Sequence, residues 1–175
     1  MTDISPMSAR GVSVTAGDLR NIGLFGALSD DVLTHLASTL SVIAPPPGTL
    51  VFREGDEARD MFVVVGGEME VLKQSKRGID ARVALLGPGD WFGEMSILDV
   101  QPRSATVIAV APTRLLRITS EALDTLYRRD LKSYSLIVLN IARELSRRLR
   151  VADAIIADFV ANVLDEYVRP TGPRR

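Results

Sequence analysis

The 175-residue chain has no cysteine and a single histidine, His35. Without cysteine there is no disulfide, no thiolate metal site and no cysteine nucleophile. One histidine cannot supply the imidazole cluster of a metalloenzyme jelly roll, and His35 reads as a surface or cap residue. No Ser-His-Asp or paired-carboxylate arrangement is visible, so neither an enzyme nor a metal site is expected. Charge of one sign is missing as well. Lys and Arg number 21 against 22 Asp and Glu, a formal net charge of −1, so no overall field draws the molecule to nucleic acid or to a membrane. No run approaches the roughly 18 apolar residues of a membrane span, and residues 1–16 lack the apolar segment of a signal peptide. A cytoplasmic location is the expectation.

Hydrophobic residues make up 46% of the chain, enough for a core in one domain with a helical extension. Residues 1–15 are small and polar and read as an arm. A domain is expected over 16–129, a long helix over 130–168 and a tail over 169–175. A short helix from Thr15 or Ala16 carries Leu19 and Ile22 and is broken at Gly23 and Gly26. Ser29 is a good N-cap for Asp30–Leu40, with acidic residues in the first turn as the helix dipole favours. Pro45-Pro46-Pro47-Gly48 then opens a β region.

Short strands with turn signals between them follow. They are expected at Thr49–Phe52, Met61–Val65, Met69–Lys73, Ala81–Leu86, Trp91-Phe92, Ser104–Val110 and Thr113–Ile118, with Gly66-Gly67 as a hairpin signal. Seven or eight such strands with spaced glycines argue for a sandwich or jelly roll.

The densest chemistry lies between Gly93 and Val107. Gly93 lets a backbone N–H approach a ligand, since no Cβ stands in the way. Glu94 can accept two hydroxyl protons, as a ribose requires. Ile97 and Leu98 suit one helical turn, whose first N–H groups attract an anion. Arg103 offers a rigid donor fork that matches a phosphate. A sugar reader and a phosphate reader nine residues apart suggest a sugar-phosphate site. Trp91-Phe92-Gly93-Glu94-Met95-Ser96-Ile97-Leu98 followed by Pro102-Arg103-Ser104-Ala105-Thr106-Val107 resembles the phosphate-binding cassette of the cyclic nucleotide-binding domain family. The resemblance runs from about residue 18 to about residue 152. It implies a mainly β fold, an eight-stranded β-roll with helices at its N-terminal end and a long C-terminal helix.

The resemblance also implies roles. Arg103 would pair with the cyclic phosphate and Glu94 with the ribose 2′-hydroxyl. The Gly93 N–H would face the ribose, with Met95 beside it in the cassette. N–H groups near Ser104 and Ala105 would hold the phosphate, and the Ser104 hydroxyl would lie beside phosphate and base. Val83 and Leu85 or Leu86 would be apolar walls for the purine, or plain core. Arg147 to Asp153 resembles the stretch where the long helix of catabolite-activator-like members covers the base. There Asp153 would accept from guanine N1–H and its 2-amino group, or would pair with Arg150 on the helix surface. The ligand is expected to be cAMP, with cGMP close behind, and no cofactor is expected.

From Thr113 to Arg169 there is neither glycine nor proline. Ser120 can cap a short helix bearing Ala122, Leu123 and Leu126. Arg128-Arg129-Asp130 marks a bend, and a helix from about Leu131 to Val168 follows. Its stripe of Tyr134, Val138, Ile141, Leu145, Leu149, Ala152, Ile156, Phe159 and Val163 has the threes and fours of a coiled-coil seam. At 38 residues it would span roughly 57 Å, more than a small roll can cover. A parallel homodimer through this helix is expected; a fold-back of its end is the alternative. Only 26 residues follow Leu149, and no DNA-recognition helix can be placed among them. Direct DNA binding is therefore not expected. The functional reading is a sensor that signals through its long helix to an effector protein. The alternative is a nucleotide-independent dimerisation scaffold.

Overall fold

The computed structural model describes residues 13–163. Of the expected features, the arm up to position 12, the end of the long helix beyond Val163 and the tail lie outside the described residues. The chain divides after Asn140 into two compact parts.

The first part opens with α1 (Ala16–Arg20). The Thr15 hydroxyl accepts the Asp18 N–H at 3.2 Å, and the Asp18 carboxylate accepts the Thr15 N–H at 2.8 Å. This reciprocal box satisfies two donors at the helix start. One 3-10 turn, Gly23–Phe25, leads to α2 (Asp30–Thr39). Ser29 occupies the cap position but its side chain makes no capping bond. Its carbonyl instead takes the Leu33 N–H, and Asp30 pairs with Arg20.

Eight strands follow: β1 (Ser41–Ile43), β2 (Leu50–Phe52), β3 (Asp60–Gly66), β4 (Met69–Gln74), β5 (Asp80–Leu86), β6 (Trp91–Phe92), β7 (Thr106–Ala109) and β8 (Arg114–Thr119). They pair antiparallel into two four-stranded sheets, β1-β8-β3-β6 and β2-β7-β4-β5. This is the eight-stranded roll expected. β1 is an addition to the sequence reading. Three residues between a helix and a triple proline carry no readable alternation; Val42 and Ile43 become a strand by pairing with Leu116 and Leu115 of β8. Between the sheets, Phe52 from one meets Phe62 and Phe92 from the other, with ring centroids 6.2 and 5.7 Å away. Ile43, Val64, Met69, Val107 and Leu115 complete that core. Met61 to Val64 of β3 are all buried, as an unbroken apolar run predicts for a strand covered on both faces.

The β3–β4 hairpin turns through Gly67 at φ +90°. A Cβ there would lie 2.4 Å from the Pro112 carbonyl oxygen and 2.5 Å from the Thr113 Cα. The buried Thr113 hydroxyl fastens the turn, accepting the Glu68 N–H at 3.1 Å. A short helix, α3 (Met95–Leu98), separates β6 from β7, and α4 (Ser120–Arg129) follows β8. Its cap is Thr119 rather than the expected Ser120: the Thr119 hydroxyl accepts the Ala122 N–H at 3.2 Å. Asp130 breaks the helix with φ −149° and ψ 85°, then caps the next through the Ser133 N–H at 3.1 Å. That next helix is α5 (Leu131–Val163). In its first turns Ile137 and Ser133 are buried, while Tyr134 and Val138 are only partly so. Ile141, which belongs to the expected stripe, is buried as well. Asn140 donates to the carbonyls of Leu24 at 3.1 Å and Gly26 at 3.2 Å. Trp91 packs on the same 3-10 turn, its ring 3.8 Å from where a Gly23 Cβ would stand.

The second part, from Ile141, contains the rest of α5. Glu144 pairs with Arg147 and Arg148 one turn on. Leu149, Ile156 and Phe159, each about 60% exposed, present the expected apolar stripe to solvent, with Ala152 also exposed. Among the described residues no helix is long and apolar enough to cross a membrane.

Replacing Gly67 with Ala should destabilise the fold by at least roughly 1–3 kcal/mol, since the new methyl meets backbone on both sides at a φ that L-residues avoid. The midpoint of urea unfolding, with unchanged slope, measures the loss.

Candidate functional site

The cassette starts where β6 ends. Gly93 has φ +83°, and Glu94 caps α3 through its carbonyl, which accepts the N–H groups of Ile97 at 3.0 Å and Leu98 at 3.1 Å. The Glu94 side chain is 2% exposed, although it is acidic. After α3 the loop returns through Val100, a β-branched residue at φ +55°, to Arg103. There the backbone is held on both sides: the Arg103 N–H donates to the Asp56 carbonyl at 2.8 Å, and its own carbonyl accepts the Gly55 N–H at 2.9 Å.

The Arg103 side chain turns inward and is only 5% exposed. Its guanidinium lies 3.9 Å from the centroid of the Phe52 ring, a cation–π contact strengthened by the loss of water. Nη1 donates to the Asp60 carbonyl at 2.7 Å and the Gly93 carbonyl at 3.1 Å. Nη2 pairs with the Asp60 carboxylate. The third donor, Nε, is buried and finds no acceptor among the described residues. Burial draws the Arg103 pKa below its ordinary value, and the Asp60 charge opposes that shift. The group remains a cation, as arginine does in proteins.

Asp60 is the residue the sequence reading missed. It is 8% exposed and also accepts from Arg117 Nε at 2.6 Å, so one carboxylate lies between two guanidiniums. The available signal was its position. An acid immediately before Met61-Phe62-Val63-Val64-Val65 has to be buried with the strand, and a buried carboxylate needs a cation.

The remaining expected residues divide. A Cβ on Gly93 would stand 2.5 Å from Arg103 Nη1, so the close approach expected of a ligand is used here by the arginine. Met95 is 43% exposed and its sulfur accepts from the Ser104 hydroxyl at 3.5 Å, joining the two ends of the cassette. Ser104 is exposed and Ala105 half-buried. Val83 is not core: it is 59% exposed. It is also the residue skipped where the β4–β5 register passes from Val71↔Ala84 to Leu72↔Arg82. Leu85 is exposed too, whereas Leu86 belongs to the core. Asp153 is an exposed residue of α5, in the second part of the chain. Two hollows, of about 490 and 530 Å³, lie elsewhere, and neither is lined by Gly93, Glu94 or Arg103. His35 contacts Arg129 at 3.0 Å, and no metal-binding cluster occurs among the described residues.

The chain is similar to several known proteins. The model of the cyclic nucleotide-binding domain matches residues 44–130. The Cyclic AMP receptor protein of Thermus thermophilus is 40% identical over 108 residues, 62% of this chain and 48% of that protein. The chain spans roughly half to three fifths of the length of the first curated relatives it matches. The crystal structure of Thermus thermophilus Catabolite Activator Protein aligns with a TM-score of 0.69 at 34% identity, over 79% of this chain and 63% of that one. A cyclic nucleotide-binding domain from Methylobacillus flagellatus aligns with a TM-score of 0.75 at 22% identity, over 98% and 96% of the two chains, a likeness of fold. Through its β-roll and its cassette, the chain belongs to the cyclic nucleotide-binding domain family.

Proposed function

We propose that this domain is a sensor of a cyclic mononucleotide, cAMP in first place and cGMP in second. The observation that carries the proposal is the buried Arg103 Nε without an acceptor. A buried donor left unmade is costly, and a phosphate oxygen is the acceptor its geometry suits. In this reading Arg103 holds the cyclic phosphate with the N–H groups near Ser104 and Ala105, and the Ser104 hydroxyl assists. Glu94 and the Gly93 N–H take the ribose. Val83 and Leu85 form the apolar wall of the purine. The relatives named for cAMP support the adenine choice.

Output runs through α5 to an effector protein, and the partner in assembly is a second copy of the chain. The exposed stripe of Leu149, Ala152, Ile156 and Phe159 supports this: it keeps the three-and-four spacing of a coiled-coil seam. Occupancy transmits a signal only if two settings of the helix differ in nucleotide affinity. The second reading, a nucleotide-independent scaffold, draws on the engagement of Arg103 by Asp60.

Calorimetric titration with cAMP, cGMP and a cyclic dinucleotide decides between them. Binding of cAMP well below millimolar is expected, and no binding of any would overturn the sensor reading. Arg103→Ala should weaken binding by about 1.5–3 kcal/mol, the worth of hydrogen bonds from a charged donor. Asp60→Asn leaves two guanidiniums without their shared charge. The nucleotide-free protein should lose stability, by about 3 kcal/mol if the pair behaves as a typical buried one. The phosphate then supplies the missing anion, so the nucleotide-induced rise in Tm should be larger in this variant than in the wild type. Sedimentation of an Ile156→Glu, Phe159→Glu variant checks assembly, with a dimer-to-monomer shift expected.

A further inference from the structure

We propose that Lys73 is a positioning residue for the phosphate-binding backbone of the cassette, and that Glu54 sets it in place. The proposal rests on the nucleotide-binding reading above. Lys73, at the end of β4, donates from Nζ to the Ser104 carbonyl at 2.7 Å and to Glu54 Oε1 at 2.6 Å. The other Glu54 oxygen accepts the Gln74 N–H at 3.1 Å, and the Glu54 N–H donates to the Thr106 hydroxyl at 3.0 Å. The end of β2, β4 and the entry to β7 are thereby tied together behind the cassette.

The consequence follows from the planar trans peptide, in which a carbonyl and the next N–H point in opposite directions. With the Ser104 carbonyl directed at Lys73, the Ala105 N–H is directed away from it. The Arg103 carbonyl, taken by the Gly55 N–H, fixes the Ser104 N–H by the same rule. Two successive N–H groups are thus aimed by what holds the carbonyls behind them, one by backbone and one by a lysine. The lysine is half exposed, with four rotatable bonds, and stays in place through Glu54. The Lys73 hydrogen bond, ahead of the Gln74 N–H, keeps the Glu54 carboxyl below the usual carboxylate range, so the brace persists at neutral pH. It loosens as pH falls through that lowered pKa. An ion pair this exposed adds little to overall stability, which separates aiming the backbone from merely holding the fold.

The test uses the full chain and cAMP. Lys73→Met should weaken binding about tenfold, the loss of one charge-assisted hydrogen bond, with Tm nearly unchanged. Lys73→Arg, which keeps the donor, should restore most of the affinity. Glu54→Gln should weaken binding less, and adding it to Lys73→Met should cost nothing further, because Glu54 acts through the lysine. Wild-type affinity in Lys73→Met, or a loss that Lys73→Arg fails to rescue, would overturn the proposal. Amide exchange in the nucleotide-free protein keeps this separate from the sensor reading. Faster exchange at Ser104 and Ala105 in Lys73→Met supports the brace even if no nucleotide binds, and unchanged exchange refutes it.

Discussion

A guanidinium buried inside a β-roll is the constraint around which the rest of this structure is arranged. Removing a charge from water is expensive, and only close, well-shaped partners compensate. Asp60 supplies the opposite charge, Phe52 an aromatic face, and the carbonyls of Asp60 and Gly93 two further acceptors. Gly93 must lack a side chain for the guanidinium to fit. Asp60 answers to Arg117 as well, so the charge balance of the site extends from β3 to the neighbouring strand β8 of the same sheet. The cassette is therefore a local sequence feature held in a nonlocal electrostatic frame.

That difference explains what was legible in the sequence. Gly93, Glu94 and Arg103 lie within one contiguous stretch whose residue types and spacing speak for themselves. Asp60 lies 43 residues before Arg103, with nothing local to connect them. β1 is a strand only because β8 lies beside it. The cap of α4 moved from Ser120 to Thr119 because adjacent hydroxyl residues look alike until the backbone chooses one. In α5 the period was readable and Ile141 of the stripe is buried, but Ile137, which is buried too, was not among the residues read into it. Turns, strands and helix type come from local preference; which face is inside comes from what it packs against.

Val83 illustrates the same limit from the other side. As a branched apolar residue in a strand it fits core and ligand wall equally well. An irregularity in the β4–β5 ladder leaves it out of the pairing and exposed. Bulges of this kind re-aim side chains, and a two-residue alternation cannot reveal them in advance.

The only tryptophan of the chain stands at the entrance to the cassette, one residue before Phe92 and two before Gly93. Its ring packs on the turn that also receives the Asn140 side chain. The protein therefore carries a single optical probe, placed by the fold where the cassette meets the helical segment. Its emission reports that junction alone, without labels and without other indoles to subtract.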